Sequence, residues 1–194
     1  KMERITRTWA DLVLENHARF MVFGRPQHVD DYSSMNMFVT DAWGAASGTR
    51  IARGFDEKSV RENDIVLIGA LTSNDPMEIE AARTARAKKA YTAAFCPYST
   101  EGDASGVRLF KEVDDALNNY CDESAGVITV PGFKEKVSPI SGLSGLLIHW
   151  MLMAQWTDHM ARRGEMPYFG QGLHENGGTD YNSMVKPYYE KRGY

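Results

Sequence analysis

DIVLIGALTSNDPMEIEAARTARAKKAYTAAFC (Asp64–Cys96) decides the fold. Asp64–Leu71 is an almost unbroken apolar run, the pattern of a strand buried on both faces. It stops abruptly at Thr72-Ser73-Asn74-Asp75, and Pro76 follows, a residue suited to the first turn of a helix, where its missing N–H costs nothing. Glu78 and Glu80 open that helix. Arg86, Lys88 and Lys89 close it, and this order complements the helix dipole. Ala90–Cys96 then reads as a second strand, ended by Pro97. A strand, helix and strand of this length require a crossover, so the two strands are parallel.

Working outward, Ile5, Trp9, Leu12 and Val13 share one helical face, which predicts an amphipathic helix over Glu3–Asn16. Arg19–Phe23 is a short strand stopped by Gly24. Phe110–Asn118 is amphipathic and reads as helix, with a strand from Leu117 to Cys121 as the alternative. GVITVPG (Gly126–Gly132) is a strand candidate that ends in a Pro-Gly turn. Ser138–Arg163 carries the longest helical pattern, and its apolar residues wrap more than one face, so it is either deeply buried or part of a subunit interface. Tyr181–Lys191 is a last helix limited by Pro187. These elements predict an α/β chain: a three-layer α/β/α sandwich with a mostly parallel sheet. The 194 residues suit one domain, with an N-terminal helix within residues 1–18 and the long helix at 138–163.

Composition narrows the function. A net charge of -4 argues against bulk attraction to nucleic acid. No apolar run approaches the roughly 20 residues that span a bilayer. The N-terminal KMERITRTW has no signal-peptide pattern, and Cys96 and Cys121 fit reduced thiols, so the expected location is the cytoplasm. The motifs of P-loop nucleotidases, dinucleotide enzymes, zinc ribbons and α/β-hydrolases are absent.

Three clusters could carry chemistry. The elbow Thr72-Ser73-Asn74 stands outside the carboxyl end of a strand and at a helix N-terminus, where an anion is favoured. Ser, Asn and Asp are equally the usual helix caps, and Asp75 would repel a phosphate. Gly24, Arg25 and His28, after the first strand, supply a close backbone approach, a cation and a titratable ring. Asp30 and Asp31 lack any specific metal spacing beside them. His174 and Glu175 lie in a glycine-rich loop where either could act as a base. His149 and His159 read as packed within the long helix, and His17 as a helix end.

Taken in order, these residues resemble the sugar isomerase (SIS) domain, in particular its stand-alone bacterial phosphosugar and phosphoheptose isomerase group. The similar segments are SVRENDIVLIGALTSNDPMEIEAARTARAKKAYTAAFCPYS, GFKEKVSPISGLSGLLIHWMLMAQ and MPYFGQGLHENGGTDYNSMVKPYYEKRGY. The resemblance implies a SIS-type, flavodoxin-like fold that binds a sugar phosphate. It assigns phosphate to Thr72, Ser73 and Asn74, and sugar contacts to Gly24, Arg25 and His28. It implies proton transfer by Glu175, His174 or Glu78 and aldose–ketose isomerisation without a cofactor or metal. The long apolar helix over Ser138–Arg163, which must be covered, implies a homodimer or homotetramer. A non-catalytic phosphosugar-sensing module is the alternative. The sequence departs from the family in its T-S-N-D-P elbow, which lacks the family's glycine and carries an acid.

Overall fold

A computed structural model describes residues 1–23, 58–98, 106–121, 126–138, 140–165 and 176–190. Its elements are α1 (Met2–Asn16), β1 (Phe20–Phe23), β2 (Ile65–Gly69), α2 (Pro76–Ala87), β3 (Tyr91–Cys96), α3 (Leu109–Glu112), β4 (Asp115–Asn118), α4 (Ser141–Arg162) and α5 (Gly178–Glu190). The four strands form one parallel sheet in the order β1-β2-β3-β4.

Alternation along each strand sorts the side chains to two faces. Phe20, Ile65, Leu67, Ala93 and Phe95 meet α1 and α4, where Trp9 and Trp156 pack edge to face with ring centroids 5.4 Å apart. Met21, Val66, Ile68, Ala94 and Cys96 meet α2 and the α3 region through Ile79, Ala82, Ala85 and Leu109. The result is the α/β/α sandwich expected from the sequence. The two crossovers among the described strands, α2 and α3, pack on one face, while α1 and α4 share the other.

The amino edge of the sheet is tied by charge. Asp64, nearly fully buried, accepts from Arg19 Nε at 3.1 Å, Arg19 Nη2 at 2.5 Å and the Arg61 amide at 2.8 Å. Asp115 accepts from the Tyr91 hydroxyl at 2.8 Å and pairs with Arg4. Burial first, then the Asp115 carboxylate, pushes the Tyr91 phenol far above its ordinary range.

Two sequence expectations are corrected. The helix expected at Phe110–Asn118 is a single turn, and Asp115–Asn118 is instead the fourth strand, paired with Ala93–Cys96. GVITVPG forms no strand; it contributes one antiparallel bridge, Ile128 to Val137.

Candidate functional site

Strands in one parallel sheet discharge their chain at a common edge. β1 ends at Phe23 beside Ile68, and β2 ends at Gly69 beside Phe95. Past Gly69, the Ala70 amide still donates to the Phe95 carbonyl at 3.0 Å, so the chain leaves the sheet on a fixed heading.

The elbow follows. Thr72 and Asn74 are partly exposed, and Ser73 between them is fully buried. The Ser73 carbonyl accepts from the Leu109 amide at 2.7 Å, which fastens the elbow to the start of α3. Asp75 adopts extended backbone as the N-cap of α2, and its carboxylate accepts from the Met77 amide at 2.9 Å. The cap expected of this sequence is therefore present, and it belongs to Asp75. Thr72, Ser73 and Asn74 precede the cap and line the approach to it.

Two buried ionisable side chains lie near the elbow, one following it in the chain and one beside Leu109, which bonds to it. Glu78 lies in the first turn of α2 and is 1% exposed. Its carboxylate is close to the positive end of the helix dipole. Arg108, immediately before Leu109, is 2% exposed, and its guanidinium donates to the Val107 carbonyl at 2.9 Å. Arg108 ends a loop, and no local pattern marks it as buried, so sequence reasoning passed over it. The same holds for Asn119, just past β4. Its amide donates to the Cys96 carbonyl at 3.2 Å, and its own carbonyl accepts from the Ser144 hydroxyl in the first turn of α4.

The structure thus brings Thr72, Ser73, Asn74 and Glu78 onto one elbow and the helix turn after it. Gly24, Arg25, His28, His174 and Glu175 lie outside the described residues. Among the described residues no cluster of His, Cys, Asp or Glu is arranged to hold a metal ion, and no helix is long and apolar enough to cross a membrane. A cavity of about 350 Å³ lies at the opposite, amino edge, between Thr8, Asn63, Arg86, Lys89, Tyr91 and Asp114. Its cations are already engaged: Arg86 with Asp114 at 3.2 Å and Lys89 with Glu62 at 3.1 Å.

His149 is fully buried in α4, and neither ring nitrogen has a hydrogen-bond partner. Burial lowers its pKa from the ordinary 6.5 to about 4, so the ring is neutral at pH 7. It belongs to the packing, as expected. His17 caps α1 in the left-handed region at φ 52°.

No family profile matches the chain. A UPF0309 protein of Oceanobacillus iheyensis is 28% identical over 138 residues, covering 67% of this chain and 55% of that protein. A UPF0309 protein of Geobacillus sp. (strain WCH70) is 28% identical over 142 residues, covering 70% of this chain and 57% of that one. The chain thus spans little more than half the length of the curated relatives it matches. Among solved structures, a protein of Salmonella typhimurium LT2 described as a "Putative sugar binding protein" superposes with a TM-score of 0.52 at 12% identity, over 99% of this chain and 52% of that one. The likeness is one of fold. At that identity it carries no residue roles, so what the site does is argued from its own groups.

Proposed function

We propose that this chain, taken as one domain, binds a sugar phosphate at the carboxyl edge of its sheet and interconverts the aldose and ketose forms. The observation that carries the reading is the elbow Thr72-Ser73-Asn74, set between the end of β2 and the N-terminus of α2. Phosphate oxygens meet the Thr72 hydroxyl, the Asn74 amide and the positive end of the α2 dipole. Gly24, Arg25 and His28 contact the sugar. His174 assists ring opening. Glu175 or Glu78 takes the proton from the second sugar carbon and returns it to the first, through an enediol that needs neither cofactor nor metal. A homodimer or homotetramer in the cytoplasm, without nucleic-acid or membrane partners, completes the proposal.

One observation favours a second reading. The Asp75 carboxylate already occupies a helix N–H and places negative charge where a phosphate would sit. That suits a weaker, non-catalytic sensing module. A thermal-shift screen with sugar phosphates, their unphosphorylated parents and inorganic phosphate separates the two. A ligand at a hundredfold above its Kd stabilises by about 2.7 kcal/mol, or about 5–10 °C for a chain of this size. Asn74→Asp, which adds charge at a partly exposed position, is expected to abolish the shift. Turnover of the stabilising compound identifies an isomerase, and binding without turnover a sensor. No shift with any sugar phosphate would refute both.

A further inference from the structure

Asn176-Gly177-Gly178 leads into α5, and the function proposed above uses none of the three. Asparagine is a chemically labile residue. It is most labile before glycine, because the next backbone nitrogen can attack the side-chain amide and glycine has no Cβ to shield that nitrogen. A folded chain suppresses the attack by holding the nitrogen in a hydrogen bond.

The structure sorts the asparagines on that point. After Asn63, the Asp64 amide donates to the Arg61 carbonyl at 3.2 Å. After Asn118, the Asn119 amide donates to the Cys96 carbonyl at 3.2 Å. After Asn119, the Tyr120 amide donates to Asn118 Oδ1 at 2.9 Å. Asn182 lies inside α5, where helical bonding engages the next amide. Asn176 differs. The Gly177 amide has no acceptor among the described residues. Asn176 and Gly177 are both exposed, and a Cβ built on Gly177 would meet nothing within 4 Å. The φ of 84° at Gly177 is left-handed, which favours glycine at this position.

We propose that Asn176 is a site of spontaneous deamidation in the folded chain. The Gly177 nitrogen attacks Asn176 Cγ and closes a five-membered succinimide ring. The Cγ–Nδ2 bond breaks, and ammonia leaves with the proton that the Gly177 amide gives up. Water then opens the ring. Its attack at Cγ restores the ordinary peptide with an aspartate side chain. Its attack at the main-chain carbonyl leaves isoaspartate, with the main chain running through Cγ. The net reaction takes up water, releases ammonia and needs no oxidant or enzyme. It puts a new carboxylate just before α5, at the positive end of that helix dipole and next in sequence to Glu175. The proposal is independent of the ligand reading.

Peptide mapping by mass spectrometry tests it, on the folded chain held in mildly alkaline buffer beside a synthetic peptide of the same local sequence. The tryptic peptide that begins at Gly164 contains both Asn176 and Asn182. The mass gain of an amide turned to an acid is expected at Asn176, in separable aspartate and isoaspartate forms, and not at Asn182. The rate should rise with pH, because the attacking nitrogen must shed its proton. Isoelectric focusing of the intact chain should show an acidic form growing in step. Asn176→Gln, whose longer side chain closes a ring slowly, should lose that form. A folded chain that keeps its amide at Asn176 while the synthetic peptide reacts would overturn the proposal. So would an acidic form that grows equally fast in Asn176→Gln, or a gain at Asn182 as fast as at Asn176.

Discussion

Gly69→Ala tests the packing that aims the elbow. Gly69 is the last residue of β2 and the cross-strand neighbour of Phe95. A Cβ built on Gly69 falls 2.6 Å and 2.8 Å from carbons of the Phe95 ring, well inside ordinary contact at 3.4 Å. The ring has little room to retreat. It is fully buried, and it backs onto Gly145 of α4. Overpacking of this kind costs about 1–3 kcal/mol. Replacing a strand glycine by alanine returns about 0.5–1 kcal/mol of backbone entropy. The net expectation is a loss centred on about 1 kcal/mol, within a range of about 0–2.5 kcal/mol, read as a lower urea midpoint with an unchanged slope. Phe95→Leu in the same chain removes the obstacle, so the double variant should be less damaged than the sum of the two single losses by at least about 0.5 kcal/mol. A Gly69→Ala variant more stable than the wild type, or one that Phe95→Leu does not relieve, would refute the reasoning, because it would mean that the ring does not fill the space over the glycine.

Asp75→Asn keeps a capping side chain but removes its charge. Stability should change by less than about 1 kcal/mol, while affinity for inorganic phosphate or a sugar phosphate rises; an unchanged phosphate affinity would place the anion elsewhere. His149 makes stability depend on pH. Its folded pKa of about 4 lies below the ordinary 6.5, so the unfolded chain binds the proton first. The stability it contributes is present above pH 6.5 and is lost as pH falls toward 4. The full gap is worth about 3 kcal/mol. His149→Leu should flatten this part of a melting-temperature profile between pH 7 and pH 4.5, and an equally steep profile would show that other groups set it.

The Asp64–Cys96 unit was legible because every local signal in it agreed: apolar run, polar elbow, Pro76, charge order and second apolar run. β4 was not. Leu109, Val113, Ala116 and Leu117 recur at helical spacing, and the segment Asp115–Asn118 has little intrinsic strand preference. Pairing with β3 and the contacts of Asp115 to Tyr91 and Arg4 decide its state, and all of these partners are distant in the chain. GVITVPG failed in the opposite sense: its β-branched residues favour a strand, yet Val127 and Ile128 remain exposed with one bridge between them and Val137. At the site, Asp75 was readable as a cap from residue type alone. Arg108 was not, since burial of a loop arginine depends on the elbow that its neighbour Leu109 binds.

The placement of α1 and α4 on one face has a consequence for how the chain assembles. The layer holding α2 and the α3 region is made from neighbours in sequence, and Ile65 and Tyr91, paired across β2 and β3, are separated only by the crossover that contains α2. The other layer joins Trp9 to Trp156, which are far apart in the chain. Closing that longer loop costs about 1.5 kcal/mol more in chain entropy. Its return arrives only when both α1 and α4 are in place over a sheet that already exists. β2, α2, β3 and β4 are therefore the natural nucleus, and α1 and α4 act as a late clasp that commits the chain to its finished form.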